Sequence, residues 1–318
     1  MRVPLVSFII PYHNEPAEML DMCIRSIRSL ALTDNEREII VVDDGSETDL
    51  LKGAGQHSTV VKYIRQENQG VSVARNTGLE AACGEYVQLV DADDWLVKAH
   101  YDHCLYLLRS QKPDVVVFSF THDGKERHDA EDYSMESGAD YMSQHNMYGS
   151  ACCYLFKRQL TDGLRFKEGK RYSEDEEFTA LLMVQAHKTC VTTAPAYYYR
   201  KHNASATHQN DPKNLETRLS EQLDTLLSLR KALPTLPCQQ KAGLERRVAQ
   251  LAMDYLYNTI RWKRSSKDLE IAVNKLTSNG LYPLVSKEYT TKYKWFRRLM
   301  ETSLGRRLLL VVIPILSH

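Results

Sequence analysis

The chain has 318 residues, 43% hydrophobic and 26% charged, the make-up of an ordinary globular protein and not of a disordered, collagen-like or porin-like one. Its 41 Lys+Arg balance 41 Asp+Glu, so no global field recommends nucleic acid as a partner. Seven cysteines, of which only Cys152 and Cys153 stand close together, do not suit a disulfide framework and point to a reducing compartment.

At this length one large domain with a smaller appended piece is the natural expectation. The opening MRVPLVSFIIPYHN carries one basic residue and an apolar run that stops at Pro11, too short for a signal peptide, and reads as a buried strand. No stretch reaches the roughly 18 apolar residues of a transmembrane helix.

In chain order, LVSFII is the first predicted strand, followed by a helix around Met19 to Leu30 with Leu20, Cys23, Ile24 and Ile27 at helical spacing. REIIVVDD is a second strand, VVKYIRQ a third, VSVARNTGLEAA a helix and EYVQLVDADD a fourth strand. A helix over Tyr101 to Ser110 and a strand in DVVVFSF continue the alternation. Such strand-helix-strand order predicts an α/β fold with a Rossmann-like, mostly parallel sheet. Lys125 to Met147 is polar and aperiodic and is expected to form a long irregular connection. ACCYLFKR reads as a strand, SEDEEFTALLMVQ as a helix, and AYYYRKHNASAT as a polar and aromatic loop. From Pro212 to Thr259 the pattern is helical with breaks at Pro234 and Pro237, so a catalytic domain over 1–210 and a helical region over 211–318 are expected.

The last segment mixes Lys294, Arg297, Arg298, Arg306 and Arg307 with Trp295, Phe296 and the apolar run Leu308 to Ile313. It reads either as a helix lying on an anionic membrane surface or as a helix packed on the body of the protein. With no leader, the first alternative places the chain in the cytoplasm, peripheral at the inner face of the plasma membrane.

Three strands end in polar clusters, PYHNE, DDGS and DADD, and in open parallel sheets the ligand crevice lies outside the carboxyl ends of the strands. Asp91, Asp93 and Asp94, with Ala92 among them, crowd three carboxylates that a hard cation, Mn²⁺ or Mg²⁺, together with substrate phosphates would reconcile. Asp43 and Asp44 suit hydrogen bonds to a ribose or base, and no G-x-G-x-x-G follows the first strand, against a nicotinamide enzyme. Gly70 stands where a helix start holds the polar end of a nucleotide, while Arg75 and Asn76 either join that site or tie loops together. Glu174 to Glu177 suits helix capping, with one carboxylate left for general-base work. Arg200 and His202 are candidates to neutralise a leaving diphosphate or complete a metal shell.

In this order, VSFIIPYHNE, IIVVDDGS, ENQGVSVARNTGL, GEYVQLVDADDWL, SEDEEF and YYYRKHNAS resemble the family 2 inverting glycosyltransferases of the GT-A fold, over about residues 5 to 206. That resemblance implies a nucleotide-sugar site at Pro11, Tyr12, Asn14 and Glu15, with Asp44 reading a uracil ring and Asp91 near the ribose. It further implies a metal on Asp93, and Asp175 as general base supported by Glu174, with Ser173 standing where many relatives have Gly. The activity implied is transfer of a sugar, with inversion, from a UDP-sugar to a hydroxyl of a glycan or lipid-linked acceptor in cell-surface polysaccharide synthesis. An inactive sugar-nucleotide or glycan-binding module is the competing reading. A nucleotidyltransferase is a weaker one, since no Gly-rich, Lys-bearing phosphate loop is present.

Overall fold

A computed structural model describes residues 3–48, 61–123, 132–201 and 211–316. The chain forms two compact units, Met1–Gly138 with Tyr148–Thr207, and Ala139–Met147 with His208–His318.

In the first unit the strands are β1 (Val6–Tyr12), β2 (Arg37–Asp44), β3 (Val61–Gln66), β4 (Tyr86–Leu89), β5 (Trp95–Leu96), β6 (Val115–Thr121), β7 (Tyr133–Glu136), β8 (Tyr154–Lys157) and β9 (Thr189–Tyr198). Interleaved with them are helices α1 (Ala17–Arg28), α2 (Val71–Ala81), α3 (Lys98–Gln111), α4 (Gly138–Gln144) and α5 (Glu174–Gln185), of which α4 passes into the second unit. The strands join one sheet in the order β3-β2-β1-β4-β8-β6-β9-β5, with β7 on β9. The pairs β1-β2, β2-β3, β1-β4 and β6-β9 are parallel, and β8 runs antiparallel between β4 and β6. The carboxyl ends of β1, β2, β4, β6 and β9 and the amino end of β8 therefore share one edge of the sheet.

Continuous apolar runs make this possible, because strands covered on both faces need no alternation. Every residue of β1 is buried, as are seven of the eight in β2. Gly78 lets α2 lie against β1, since a Cβ there would stand 2.2 Å from Ile9 Cγ2. Between α3 and the sheet, Tyr101 meets Phe8 and Phe118 at ring-centroid distances of 6.0 and 5.9 Å. Chain order carries β2 to one side of β1 and β4 to the other, and at such a switch point a crevice opens.

Four expectations change, the first being that Tyr197 and Tyr198, expected in a polar and aromatic loop, lie in β9. The fourth strand stops at Leu89, and Asp91 to Asp94 form a turn closed by the Asp94 N–H on Asp91 O at 3.1 Å. Off the ladder, Asp91 reaches the Arg75 guanidinium and Asp94 the Tyr197 hydroxyl and the Arg200 N–H. ACCYLFKR begins as a 3-10 turn at Ala151–Cys153, capped by the Ser150 side chain, before β8. Within the expected connection over Lys125 to Met147, residues 132–147 hold β7 and α4. Tyr133, Ser134 and Met135 are exposed, so backbone pairing with β9 holds this strand and leaves no apolar signature.

The second unit is helical: α6 (Pro212–Ala232), α7 (Cys238–Lys263), α8 (Ser266–Ser278), α9 (Thr291–Met300) and α10 (Ser303–Leu316). Asp211 caps α6 through the Lys213 and Asn214 N–H groups, with Pro212 in the first turn where no N–H is needed. The Ala139–Met147 stretch belongs here: Arg246 of α7 donates to Ser143 O at 2.6 Å and Gln250 to Asn146 Oδ1 at 2.8 Å. Gly243 of α7 permits this approach, because a Cβ there would lie 2.5 Å from Ala139 O. In α10, Gly305, Leu309 and Ile313 are buried, while Leu304, Leu308, Val311 and Ile315 at helical spacing remain exposed. The tail therefore packs by one face and leaves the other bare. Among the described residues no helix is long and apolar enough to cross a membrane.

Candidate active site

At the end of β2 the acids build loops. Asp43 is buried; its Oδ1 accepts the Ser46 N–H at 2.9 Å and its Oδ2 pairs with Arg65 at 2.6 Å. Asp44 accepts from Gln66 Nε2, Gln69 N and Gly70 N at 2.8, 2.9 and 2.7 Å. A carboxylate offers about four lone-pair positions, so roughly one remains on Asp44 for an outside N–H. The Gly70 N–H is spent on Asp44, so this amide does not point at a ligand.

The loop after β1 leans on the same structure. Pro11 pairs with Val42 in the ladder, and Tyr12 donates to Glu15 O at 2.6 Å. Asn14, at φ 63°, donates its N–H to Ser46 Oγ at 3.0 Å and accepts the Glu47 N–H at 2.9 Å. The His13 ring contacts Asp44 O at 2.8 Å. Burial, and behind it the charges of Asp93 and Asp91, raise the Glu15 carboxyl above its ordinary value. The polar ends of β1, β2 and β4 thus do converge.

At the end of β4, Asp94 accepts from Tyr197 Oη at 2.7 Å and from Arg200 N at 2.8 Å, while the Asp91 N–H donates to Tyr197 Oη at 3.1 Å. Burial, then Asp91 and Asp93, push Asp94 up to about 8. Ala92 is buried in the turn. A hard divalent ion relieves such repulsion between neighbouring carboxylates. Among the described residues no group of three or more His, Cys, Asp or Glu is arranged to hold one, and a Mg²⁺-like ion takes one or two carboxylates plus substrate phosphates. His202 lies outside the described residues, as does the rest of the YYYRKHNAS motif beyond Lys201.

The third group centres on Arg75 of α2. Its Nη1 donates to Asp175 Oδ1 at 2.6 Å and to Glu174 Oε1 at 3.2 Å, and its Nη2 to Asp91 Oδ1 at 3.0 Å. The guanidinium is 5% exposed. Burial works against its charge, but Asp175 and Asp91 outweigh it and hold the guanidinium firmly protonated. The second Asp175 oxygen accepts the Ala151 N–H at 3.0 Å. Burial, only partly countered by Arg75, raises Asp175, and burial with Asp175 pushes Glu174 up to about 7. Both acids open α5, where the helix dipole favours them. Ser173, which precedes them, has φ 60°, the left-handed conformation that explains a Gly preference there.

Arg200 reaches back to the acid turn: its Nε donates to Asp93 O at 2.8 Å and its guanidinium lies 5.0 Å from the Trp95 ring. Asn76 is different. Its amide donates to Phe166 O and accepts Phe166 N–H, both at 2.9 Å, which makes it a buried loop tie. Sequence reasoning left Arg75 undecided, singled out Tyr197 only as part of a polar and aromatic loop, and missed Ala151. Arg75 had a signal in being a charged residue on the buried side of α2 next to Ala74; Ala151 had none.

Residues 7–165 match the family described as Glycosyl transferase family 2. EpsH of Bacillus subtilis (strain 168), which carries the name of a glycosyltransferase, is 27% identical over 238 residues, 69% of this chain and 67% of its own length. The poly(ribitol-phosphate) beta-N-acetylglucosaminyltransferase TarP of Staphylococcus aureus (strain N315) is 25% identical over 203 residues, 61% of this chain and 62% of its own. The crystal structure of S. aureus TarS 1-349 in complex with UDP-GlcNAc superposes with a TM-score of 0.71 at 17% identity, covering 96% of this chain and 88% of that one, a likeness of fold. With its GT-A-type sheet and a family match spanning half its length, the chain belongs to glycosyl transferase family 2 and is a transferase of that family.

Proposed function

We propose that the chain transfers a sugar, with inversion, from a nucleotide-diphosphate donor, UDP in preference, to a hydroxyl of a surface glycan or its lipid-linked precursor. The observation that carries this reading is the single buried Arg75 that gathers Asp91, Glu174 and Asp175 beside the polar ends of β1 and β2. Asp175 is the proposed base: it takes the proton of the acceptor hydroxyl, whose oxygen forms a bond to the anomeric carbon as the bond to the diphosphate oxygen breaks. Arg75 fixes that carboxylate from one side and the Ala151 N–H from the other. Asp44 keeps a lone pair for a ring N–H of the base. Arg200 stands beside Asp93 where the departing diphosphate would gather charge. A divalent cation on Asp93 would neutralise that diphosphate. UDP-GlcNAc on TarS and the polymer named for TarP support a UDP-sugar donor and a glycan acceptor.

The exposed stripe of α10, with Arg306 and Arg307 on the same helix and Trp295 57% exposed on α9, supports work at an anionic lipid surface inside the cell. Calorimetric titration of UDP with Mn²⁺, then with EDTA, then on Asp93→Ala tests the reading. Metal-dependent binding lost in the variant is expected; absence of binding by UDP, GDP and dTDP alike would favour a module that binds glycan alone.

A further inference from the structure

Four aromatic side chains gather at the active edge of the sheet and take no part in the chemistry above. Phe120, near the carboxyl end of β6, is 40% exposed although large and apolar. Its ring lies 5.4 Å from His122, 6.0 Å from Tyr148 and 6.3 Å from Tyr199, at interplanar angles of 71°, 74° and 64°. His122 and Tyr199 meet at 5.6 Å. The cluster is braced at its polar rims: Tyr148 Oη donates to Ser119 Oγ at 3.2 Å, and the His122 ring contacts Tyr199 O at 2.8 Å.

We propose that this cluster is a platform on which a pyranose ring of the acceptor glycan stacks. The inference rests on the transferase reading and adds the place and chemistry of its acceptor subsite. A pyranose presents an apolar face of C–H bonds ringed by hydroxyls. The electron-rich face of an aromatic ring attracts polarised C–H bonds, and the imidazole and phenol groups at the rim suit the hydroxyls. Ligand sites of this kind combine aromatic surface with a few placed polar groups.

Position separates this subsite from the donor. In the sheet order β2-β1-β4-β8-β6-β9, the nucleotide clusters end β2, β1 and β4, whereas Phe120 and Tyr199 end β6 and β9. Between them Ala151, just before β8, holds Asp175. Tyr148 lies three residues before Ala151, and Tyr199 adjoins Arg200, whose N–H is on Asp94. The platform is thus tied along the chain to the base on one side and to the acid turn on the other, where an incoming hydroxyl has to arrive.

Saturation-transfer NMR tests this with chitotetraose and cellotetraose as pyranose probes and UDP as the donor-side control. Irradiating the aromatic protons of the wild-type protein should transfer saturation to ring C–H protons of at least one oligosaccharide. Phe120→Leu, which keeps apolar volume without the ring, and Tyr199→Ala should each cut that transfer at least fivefold while UDP signals stay within twofold. No transfer to either oligosaccharide, or transfer unchanged in both variants, would overturn the platform. Loss of UDP binding by the wild type, with oligosaccharide transfer intact, would instead overturn the transferase reading and leave the platform standing.

Discussion

Two acid clusters share one edge of the sheet and are held in opposite ways. At the end of β2, Asp43 and Asp44 take donors from backbone amides, an amide side chain and Arg65, with each oxygen given a partner of its own. Around Arg75, three carboxylates from β4's turn and α5 divide one guanidinium, and Glu174 and Asp175 are raised. The first arrangement spends its acids on shape, save the one lone pair left on Asp44. The second holds charge in excess of what the fold itself compensates, and such excess is what a reacting ligand, proton or cation would balance.

The comparison breaks most sharply at Asp175. Asp175→Asn should lower transfer by about 10²–10⁴-fold, the usual contribution of a general base, with UDP affinity within twofold by calorimetry. Equal loss of both would move Asp175 into the loop-building class. Arg75→Met comes next and should destabilise the protein by about 3–5 kcal/mol, because it strands buried carboxylates. Glu174 already titrates in the folded state near 7, above its ordinary 4.5, so the folded state holds the extra proton and stability is lost as pH rises through that window. Without the cation this effect grows. The melting-temperature deficit of Arg75→Met should therefore be larger at pH 8 than at pH 5, and a deficit independent of pH would contradict the shared-charge account.

Asp44→Ala should cost on the order of 1–3 kcal/mol by leaving the Gln69 and Gly70 N–H groups unmet, and it should do so equally at pH 6 and pH 8, read by urea denaturation. A pH-dependent loss would erase the contrast between the clusters. The smallest effect concerns the second unit. Leu308→Glu with Val311→Glu should leave thermal stability within about 0.5 kcal/mol, as for surface substitutions, yet abolish sedimentation with phosphatidylglycerol vesicles. Retained sedimentation would remove the α10 stripe as the lipid contact.

The sheet was legible because parallel strands announce themselves as unbroken apolar runs: FII, IIVV and VVV could hardly be elsewhere. Their polar ends followed from the same pattern, and so did the convergence of PYHNE, DDGS and DADD. What stayed hidden was which polar atoms meet across long stretches of chain. Arg75 and Asp175 are 100 residues apart, Asn76 and Phe166 90, and periodicity carries no information on such pairs. Asn76 therefore read equally as a nucleotide contact or a loop tie, and its amide serves Phe166. β7 was hidden for a different reason, since an edge strand with exposed side chains needs nothing from its sequence but a backbone.

The small excursion at Ala139–Met147 has a consequence for how the molecule is made. The chain leaves the first unit, supplies a short piece to the second, and returns, so that this piece is synthesised about a hundred residues before the α7 residues Gly243, Arg246 and Gln250 that receive it. At a translation speed of about 5–20 residues per second, the piece waits for several seconds with its partner unborn. A transcript cut after codon 210 would leave the segment Ala139–Met147 permanently orphaned. The chain's last third thus acts on its first two thirds during birth, as the late-arriving shelter of an early-made part.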